Sequence, residues 1–303
     1  MELRHLRYFV AVAEELHFHR AATRLHISQP PLSQQIRALE AEIGVTLLVR
    51  NRRRVELTAA GASFLVSARM ILEAVDRGAE TARRVAAGEI GSLSVGFVGS
   101  AMFSPVLPTI LRDFASRHPD VDLHLRELPT AEQLDALSHG RIDVGVIRGP
   151  LRAATLAPGL ELAVIHREHM VVALPEAHLL AAKSRLRASD LQGETFVILR
   201  RSEAPGLWTP LASLMGGAGG LPEEVQEVAE MQTIIALVAS GFGVSLVPAS
   251  VGDTDRPGVT FRPLADPSPM IELSLAWASS ERSPVLEAFL ALAAPDEVAN
   301  RTP

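Results

Sequence analysis

Apolar residues recur at helical spacing from the third residue of this 303-residue chain onward. Leu3, Leu6, Phe9, Val10 and Ala13 share one face of an amphipathic helix, and Ala21, Ala22 and Leu25 repeat the pattern briefly over residues 19–25. A turn at His26 to Ser28 separates these from a third stripe, Leu32, Ile36, Leu39 and Ile43. Pro30 and Pro31 fit only a first helical turn, where their missing N–H groups have no intrahelical partner anyway. A helix therefore starts near Gln29 with Ser28 as its N-cap, and Gly44 supplies the left-handed stop. Its polar face carries Gln29, Ser33, Gln34 and Arg37. Two β-prone runs follow, Leu47 to Arg50 and Val55 to Thr58, joined by Asn51, Arg52, Arg53 and Arg54; they predict a hairpin with an arginine tip. From Thr58 to about Ala87 there is no proline. Leu65, Ala68, Leu72, Val75, Ala79, Ala82 and Ala86 are spaced alternately by three and four, which predicts a heptad seam on a helix ~45 Å long. Dimerisation is the economical way to cover it, a fold-back onto a neighbouring domain being the alternative.

"GEIGSL", residues 88–93, breaks the helical pattern and marks a boundary. Beyond it the periodicity alternates. Strands are expected at "LSVGFVG", "VDLHLREL", "IDVGVIR", "MVVALP", "TFVILR", "GVSLVP" and "IELSLAWA". Helices are expected around Val106 to Phe114, Glu132 to His139, Met231 to Ala239 and Pro284 to Ala293. This is an α/β pattern with a mostly parallel sheet, read as two lobes and a cleft, the last strand and helix returning to the first lobe. The expected domains are 1–58 and a linker helix at 59–90, then 91–303, with lobe I about 91–163 and 269–303 and lobe II about 164–268.

Charge changes the picture. The net value is −6, but residues 1–61 hold nine arginines against six acidic residues, and the remainder 20 basic against 29 acidic. Lys183 is the only lysine. Arginine's planar fork suits phosphate and guanine, and glutamine suits adenine, so the polar edge of the third helix has the chemistry of a helix-turn-helix reading a major groove. The arginine tip has that of a wing against the backbone or minor groove. A three-helix core with a solvated face and an ordinary basic turn is the alternative. Aromatic residues are only 4%, which disfavours stacking platforms for single strands, and the absence of cysteine excludes disulfides and thiolate chemistry. Charges at Arg4, Arg7, Glu14 and Glu15 interrupt the first apolar run, so a cytoplasmic protein is expected.

Candidate chemistry in the second half sits at strand ends, where open α/β sheets bind ligands. Ser100 follows "VGFVG", Thr130 ends "LRELPT" and Ser202 follows "FVILRR". Each alone is a plausible helix cap; together they mark an anion-binding site. Arg148 offers a positive partner for a carboxylate, or forms an ordinary ion pair. Enzyme motifs are missing: "MGGAGG" lacks the Lys-Ser/Thr of a phosphate loop, "GFGVSL" lacks a third glycine, and no G-x-S-x-G elbow occurs. His17 and His19, or His166 and His169, have no carboxylates at metal-ligand spacing, so neither metal nor cofactor is expected.

The segment "LRYFVAVAEELHFHRAATRLHISQPPLSQQIRALEAEIGVTLLVRNRRRVELTAAG" resembles the winged helix-turn-helix of LysR-type transcriptional regulators. The resemblance implies that Gln29, Pro30, Ser33, Gln34 and Arg37 face the major groove with Arg52 to Arg54 in the wing, and that the long helix dimerises. Pro31 stands where the family more often has alanine. "VGFVGSAMF", "GRIDVGVIR" and "VASGFGVSLVPAS" resemble its periplasmic-binding-protein-like effector domain, particularly in the subgroup sensing aromatic-degradation intermediates such as muconates. By that likeness Ser100, with Ala101 and Met102 beside it, Thr130, Arg148 and Ser202 contact the effector. "RRSEAPGLW" departs from the pattern: Arg200 and Arg201 either favour an acidic ligand or pair with Glu203 or Glu223. The expected function is a ligand-switched regulator binding double-stranded promoter DNA as a homodimer or homotetramer. The alternative is a solute-binding or enzymatic α/β domain with an N-terminal oligomerisation segment.

Overall fold

The computed structural model describes residues 1–50, 54–149, 158–216, 222, 224–265, 268–280 and 282–294. The chain divides into two compact units, Met1–Arg84 and Val85–Pro303.

The first unit comprises helices α1 (Leu3–Glu15), α2 (Phe18–Arg24) and α3 (Gln29–Ile43), a hairpin of β1 (Leu48–Arg50) and β2 (Val55–Leu57), and most of α4 (Ala59–Ala86). Leu6, Phe9, Val12, Ala21, Leu32, Ile36 and Leu39 make its buried core. His26 adopts a left-handed φ of 55°, which turns the chain sharply between α2 and α3. Ser28 stands at the N-cap of α3 but its side chain makes no capping bond; Gly44 closes the helix at φ 81°. Thr58 starts α4, its Oγ1 accepting a hydrogen bond from the Gly61 amide at 2.8 Å. Gly61 presses on the Leu47 carbonyl so closely that no side chain fits there.

The helix corrects the expected seam. Ala68 is fully buried, and Leu65 and Leu72 pack with Phe64 against the core of their own unit. Three short helices and a hairpin leave an apolar face that the start of α4 covers, so Ala68 is closed off and Leu65 and Leu72 are partly buried within their own unit. Val75 and Ala79 remain exposed. Val66 and Met70, 60% and 62% exposed, begin a different apolar stripe that continues through Ile71, Ala74 and Val75.

The second unit runs β3 (Ile90–Phe97), α5 (Val106–Arg117), β4 (Asp120–Glu127), α6 (Thr130–Ser138), β5 (Val144–Arg148), β6 (Leu160–Pro175), β7 (Phe196–Leu199), α7 (Pro205–Gly216), β8 (Val225–Val228), α8 (Met231–Ala239), β9 (Ser245–Pro248), α9 (Ala249–Gly252), β10 (Val259–Pro263), β11 (Met270–Ala278) and α10 (Pro284–Ala293). The main sheet has the order β10-β6-β11-β5-β3-β4, with β9 also on β6; β7 and β8 pair separately. The sheet is mixed rather than mostly parallel. β3 pairs parallel to β4 and β5, and β7 to β8. β6 is antiparallel to β9, β10 and β11, and β11 to β5. The reason is β6, one uninterrupted 16-residue strand of which only "MVVALP" was expected.

Two main cores form on this frame. Leu93, Val95, Phe114, Val146, Leu275 and Phe289 belong to the first, which includes α10 and β11. Val172, Phe196, Leu211, Ile235 and Val247 belong to the second. β6 supplies Ala163 to one and Met170 to the other. Helix α7 is not among the expected elements; of the run "MGGAGG", Met215 and Gly216 close this helix and residues 217–220 lie outside the described residues.

Candidate functional site

On α3, Gln29, Pro30, Gln34 and Arg37 are exposed, and the side chains of Gln29, Gln34 and Arg37 have no protein partner among the described residues. The opposite side of the same helix is fastened. Gln35 Oε1 meets His5 Nε2 at 2.7 Å. Glu40 Oε1 accepts from the Leu47 and Leu48 amides at 2.9 and 3.0 Å, while its Oε2 pairs with Arg50 Nη2 at 2.8 Å. Arg50 also lies over the Phe18 ring, 4.9 Å from its centroid, and donates to Ser33 Oγ at 3.4 Å. Ser33 is thus half-buried at the edge rather than on its crest. Glu14, hydrogen-bonded by Arg69 and Arg24 at 2.7 Å each, is held below the usual carboxylate range by those two donors. It ties α1 to α2 and α4. Arg54 is exposed near Glu56, at 3.8 Å; Arg52 and Arg53 lie outside the described residues.

In the second unit a cavity of about 400 Å³ is lined by Ser100, Glu127, Thr130, Arg148, Glu203 and Glu230 among polar groups, and by Val98, Leu128, Leu199, Leu207 and Met231 among apolar ones. That size is ordinary for a small-molecule site, which spans roughly 300–1,000 Å³. Thr130 opens α6, is 2% exposed, and its hydroxyl has no hydrogen-bond partner among the described residues. Ser100 Oγ accepts from Arg148 Nε at 3.1 Å and Ser100 O from Arg148 Nη2 at 3.0 Å. The serine proton therefore stays available to an acceptor in the cavity.

Arg148 lines the cavity but takes the ion-pair alternative rather than standing as a free cation. It is 4% exposed and its Nη1 meets Glu168 Oε1 at 2.5 Å. Glu168 also accepts from the Ser250 amide at 2.6 Å and Ser250 Oγ at 3.1 Å. Burial pushes the Arg148 guanidinium down from its usual value, opposed by Glu168; arginine starts so high that it stays charged. Burial raises the Glu168 carboxyl, but Arg148 and Ser250 outweigh it and leave it below the usual range. Ser100, Arg148, Glu168 and Ser250 thus form one buried chain across β6, its charges matched internally.

Three other expected contacts are corrected. Ser202 is exposed and off the cavity wall, because the chain turns there and presents Glu203 and Ala204 instead. Ala101 is fully buried in the first core. Met102 borders a neighbouring depression, lined also by Phe97, Phe103 and Gln232, that shares Glu127 and Glu230 with the cavity. Arg200 pairs with Glu203 at 2.9 Å, and Arg201 lies over Trp208; neither lines the cavity. Glu223 lies outside the described residues. Glu127, Glu168 and Glu230 were missed. A lone acid in the apolar "EHMVVALP" run was the readable signal for Glu168, since a buried carboxylate needs a cation.

Residues 3–62 match the family of bacterial regulatory helix-turn-helix proteins, lysR family, and residues 86–296 the LysR substrate binding domain. The chain belongs to the LysR family. The regulator AlsR of Bacillus subtilis (strain 168) is 41% identical over 290 residues, covering 96% of this chain and 94% of that protein. The Hca operon transcriptional activator HcaR of Escherichia coli (strain K12) is 39% identical, covering 96% and 97%. The full-length crystal structure of CbnR complexed with its target DNA superposes with a TM-score of 0.82 at 33% identity, covering 97% of this chain and 98% of that one. This LysR-family protein is accordingly a DNA-binding transcriptional regulator with an effector domain, and not an enzyme. Promoter DNA, a small-molecule effector and further copies of itself are its partners. Among the described residues no helix is long and apolar enough to cross a membrane.

Proposed function

We propose that Gln29, Gln34 and Arg37 read base edges in a major groove, that Pro30 and Ser33 lie against the same duplex, and that Arg52 to Arg54 carry the flanking contacts. The observation that supports this is an exposed polar edge without protein partners on a helix fastened from behind. Binding of the protein to the DNA upstream of its own gene, measured at several salt concentrations, tests it. Specific binding weakens with salt as phosphate counterions are recovered. Absence of sequence-specific binding to any genomic fragment would defeat the assignment.

The effector in this reading is a small carboxylate held by the Ser100 and Thr130 hydroxyls and the free N–H groups opening α6. The partnerless Thr130 hydroxyl supports it; Thr130→Val is expected to weaken the ligand's stabilising effect, which follows from mass action. Arg148 then acts by orienting Ser100. Ligand that favours one setting of the two cores shifts the population and, through the oligomer, the spacing of the DNA-reading heads. Self-association falls to Val66, Met70, Ile71, Val75 and Ala79 on α4. Division of labour at 1–58, 59–90 and 91–303 and a cytoplasmic location, where promoter DNA resides, complete the reading. A second reading, a muconate-type effector from aromatic degradation, is favoured by the full-length fold shared with CbnR and BenM, at TM-scores of 0.84 and 0.59. The carboxylates around the cavity disfavour it for a dicarboxylate.

A further inference from the structure

We propose that the cavity takes an α-amino acid with an apolar side chain, its ammonium group received by Glu127 and Glu230. The inference rests on the carboxylate reading above and adds a second charge to the ligand. Three carboxylates line the cavity, and they differ in state. Glu203 is matched by Arg200. Glu127 and Glu230 have no partner among the described residues, and the one cation on the wall, Arg148, is neutralised by Glu168 outside it. An anion bearing a second negative charge meets net repulsion there; one bearing an ammonium group meets attraction.

Position narrows the class further. Glu127 lies three residues before Thr130, and its carboxylate rests over the backbone of Gly99, the neighbour of Ser100. A hydroxyl able to donate to a carboxylate and an acid able to receive an ammonium group therefore stand at one end of the cavity. That matches charges separated by a single carbon rather than by a long spacer. Glu230, at the N-cap of α8, faces the same space from the other wall without capping its helix. The rest of the lining is aliphatic: Val98, Leu128, Leu199, Leu207 and Met231. Glu203, also on the lining, is already matched by Arg200, so this surface suits an apolar side chain. No group of three or more His, Cys, Asp or Glu side chains placed to hold a metal ion occurs among the described residues.

Calorimetric titration of the full-length protein tests this with L-valine, L-leucine, L-methionine and L-phenylalanine as probes. Each is paired with its 2-hydroxy acid, its unsubstituted acid and its amide. At least one amino acid is expected to bind roughly tenfold or more tightly than its hydroxy acid and its amide, because each analogue leaves a charged partner unmet. The double variant Glu127→Gln, Glu230→Gln, at two exposed positions, should reduce the preference over the hydroxy acid to under about threefold without moving the urea midpoint. Acids binding with no preference for the amine, yet lost in Thr130→Val, would overturn the ammonium site and leave the carboxylate reading intact. A ligand indifferent to Thr130→Val would overturn both. Acids that bind only with added magnesium, amino-acid preference that survives the double variant, or no binding by any probe at millimolar concentration would each refute the amino-acid assignment.

Discussion

The exposed polar edge of α3 and the cavity of the second unit handle polar groups in opposite ways. On α3, Gln29, Gln34 and Arg37 are exposed and without partners among the described residues, while Gln35 and Glu40, one and three positions from the nearest of them, are consumed in fixing the helix. Solvation makes unpaired donors inexpensive until a duplex displaces the water. In the cavity the same economy fails, because a buried unpaired charge costs far more than a hydrogen bond returns. The cation there is matched inside the protein, and what is left for the ligand is a hydroxyl and carboxylates at the mouth.

The largest effect should come from breaking the buried match. Glu168→Ala strands Arg148 and is expected to cost about 3–5 kcal/mol in denaturant unfolding of the second unit. Replacing both partners by well-packed apolar residues should cost much less; equal losses would show that shape rather than charge holds the site. Glu168 also sets an acid limit. Its carboxyl is lowered in the folded state, so its contribution is complete above the ordinary carboxylate pKa and disappears as pH falls through the lowered value. The urea midpoint should drop on acidification with a steeper slope in the native protein than in the doubly apolar variant. Next in size is Gly206→Ala. A methyl group at Gly206 meets the backbone of Arg148 and Gly149, the latter at φ 129°. Backbone cannot yield as a side chain does, and a loss of about 1–3 kcal/mol is expected in the same unfolding measurement.

At the exposed edge of α3 the comparison predicts binding losses without folding losses. Arg37→Ala should remove about 1–3 kcal/mol of discrimination at one base position, read by competition between operator variants, while stability stays within about 0.5 kcal/mol. A large fall in stability would place Arg37 in the scaffold. Smallest of all is Ser28→Ala. Loss of a working N-cap costs about 1 kcal/mol, but Ser28 makes no capping bond, so its thermal midpoint should hardly change.

Much of the first unit was legible because its rules are local. Proline in the first turn of α3, Gly44 after it and the stripe through Leu32, Ile36 and Leu39 fix the helix from neighbours alone. The seam on α4 shows where local periodicity stops informing. Its spacing reveals an apolar face but not which surface covers it, and Leu65, Ala68 and Leu72 turn to their own core. In the second unit Ser100 and Thr130 were readable as strand-end residues. Arg148 was readable as a charge, but its partner, Glu168, stands 20 residues away on β6, beyond the intervening strand β11, an order no spacing rule encodes. Ser202 failed for a similar reason: a turn of one residue decides which neighbour faces the cavity.

Strand β6 carries one consequence for how such a protein could be cut or recombined. Because residues 160–175 form one continuous strand that pairs with β11 along its first part and with β9 and β10 along its second, neither half of the second unit owns a complete sheet. A fragment ending anywhere within that span would carry an unsatisfied edge, and exchanging one lobe between relatives would graft a foreign backbone into the other. The ligand-reading portion is therefore inherited, and fails, as a whole.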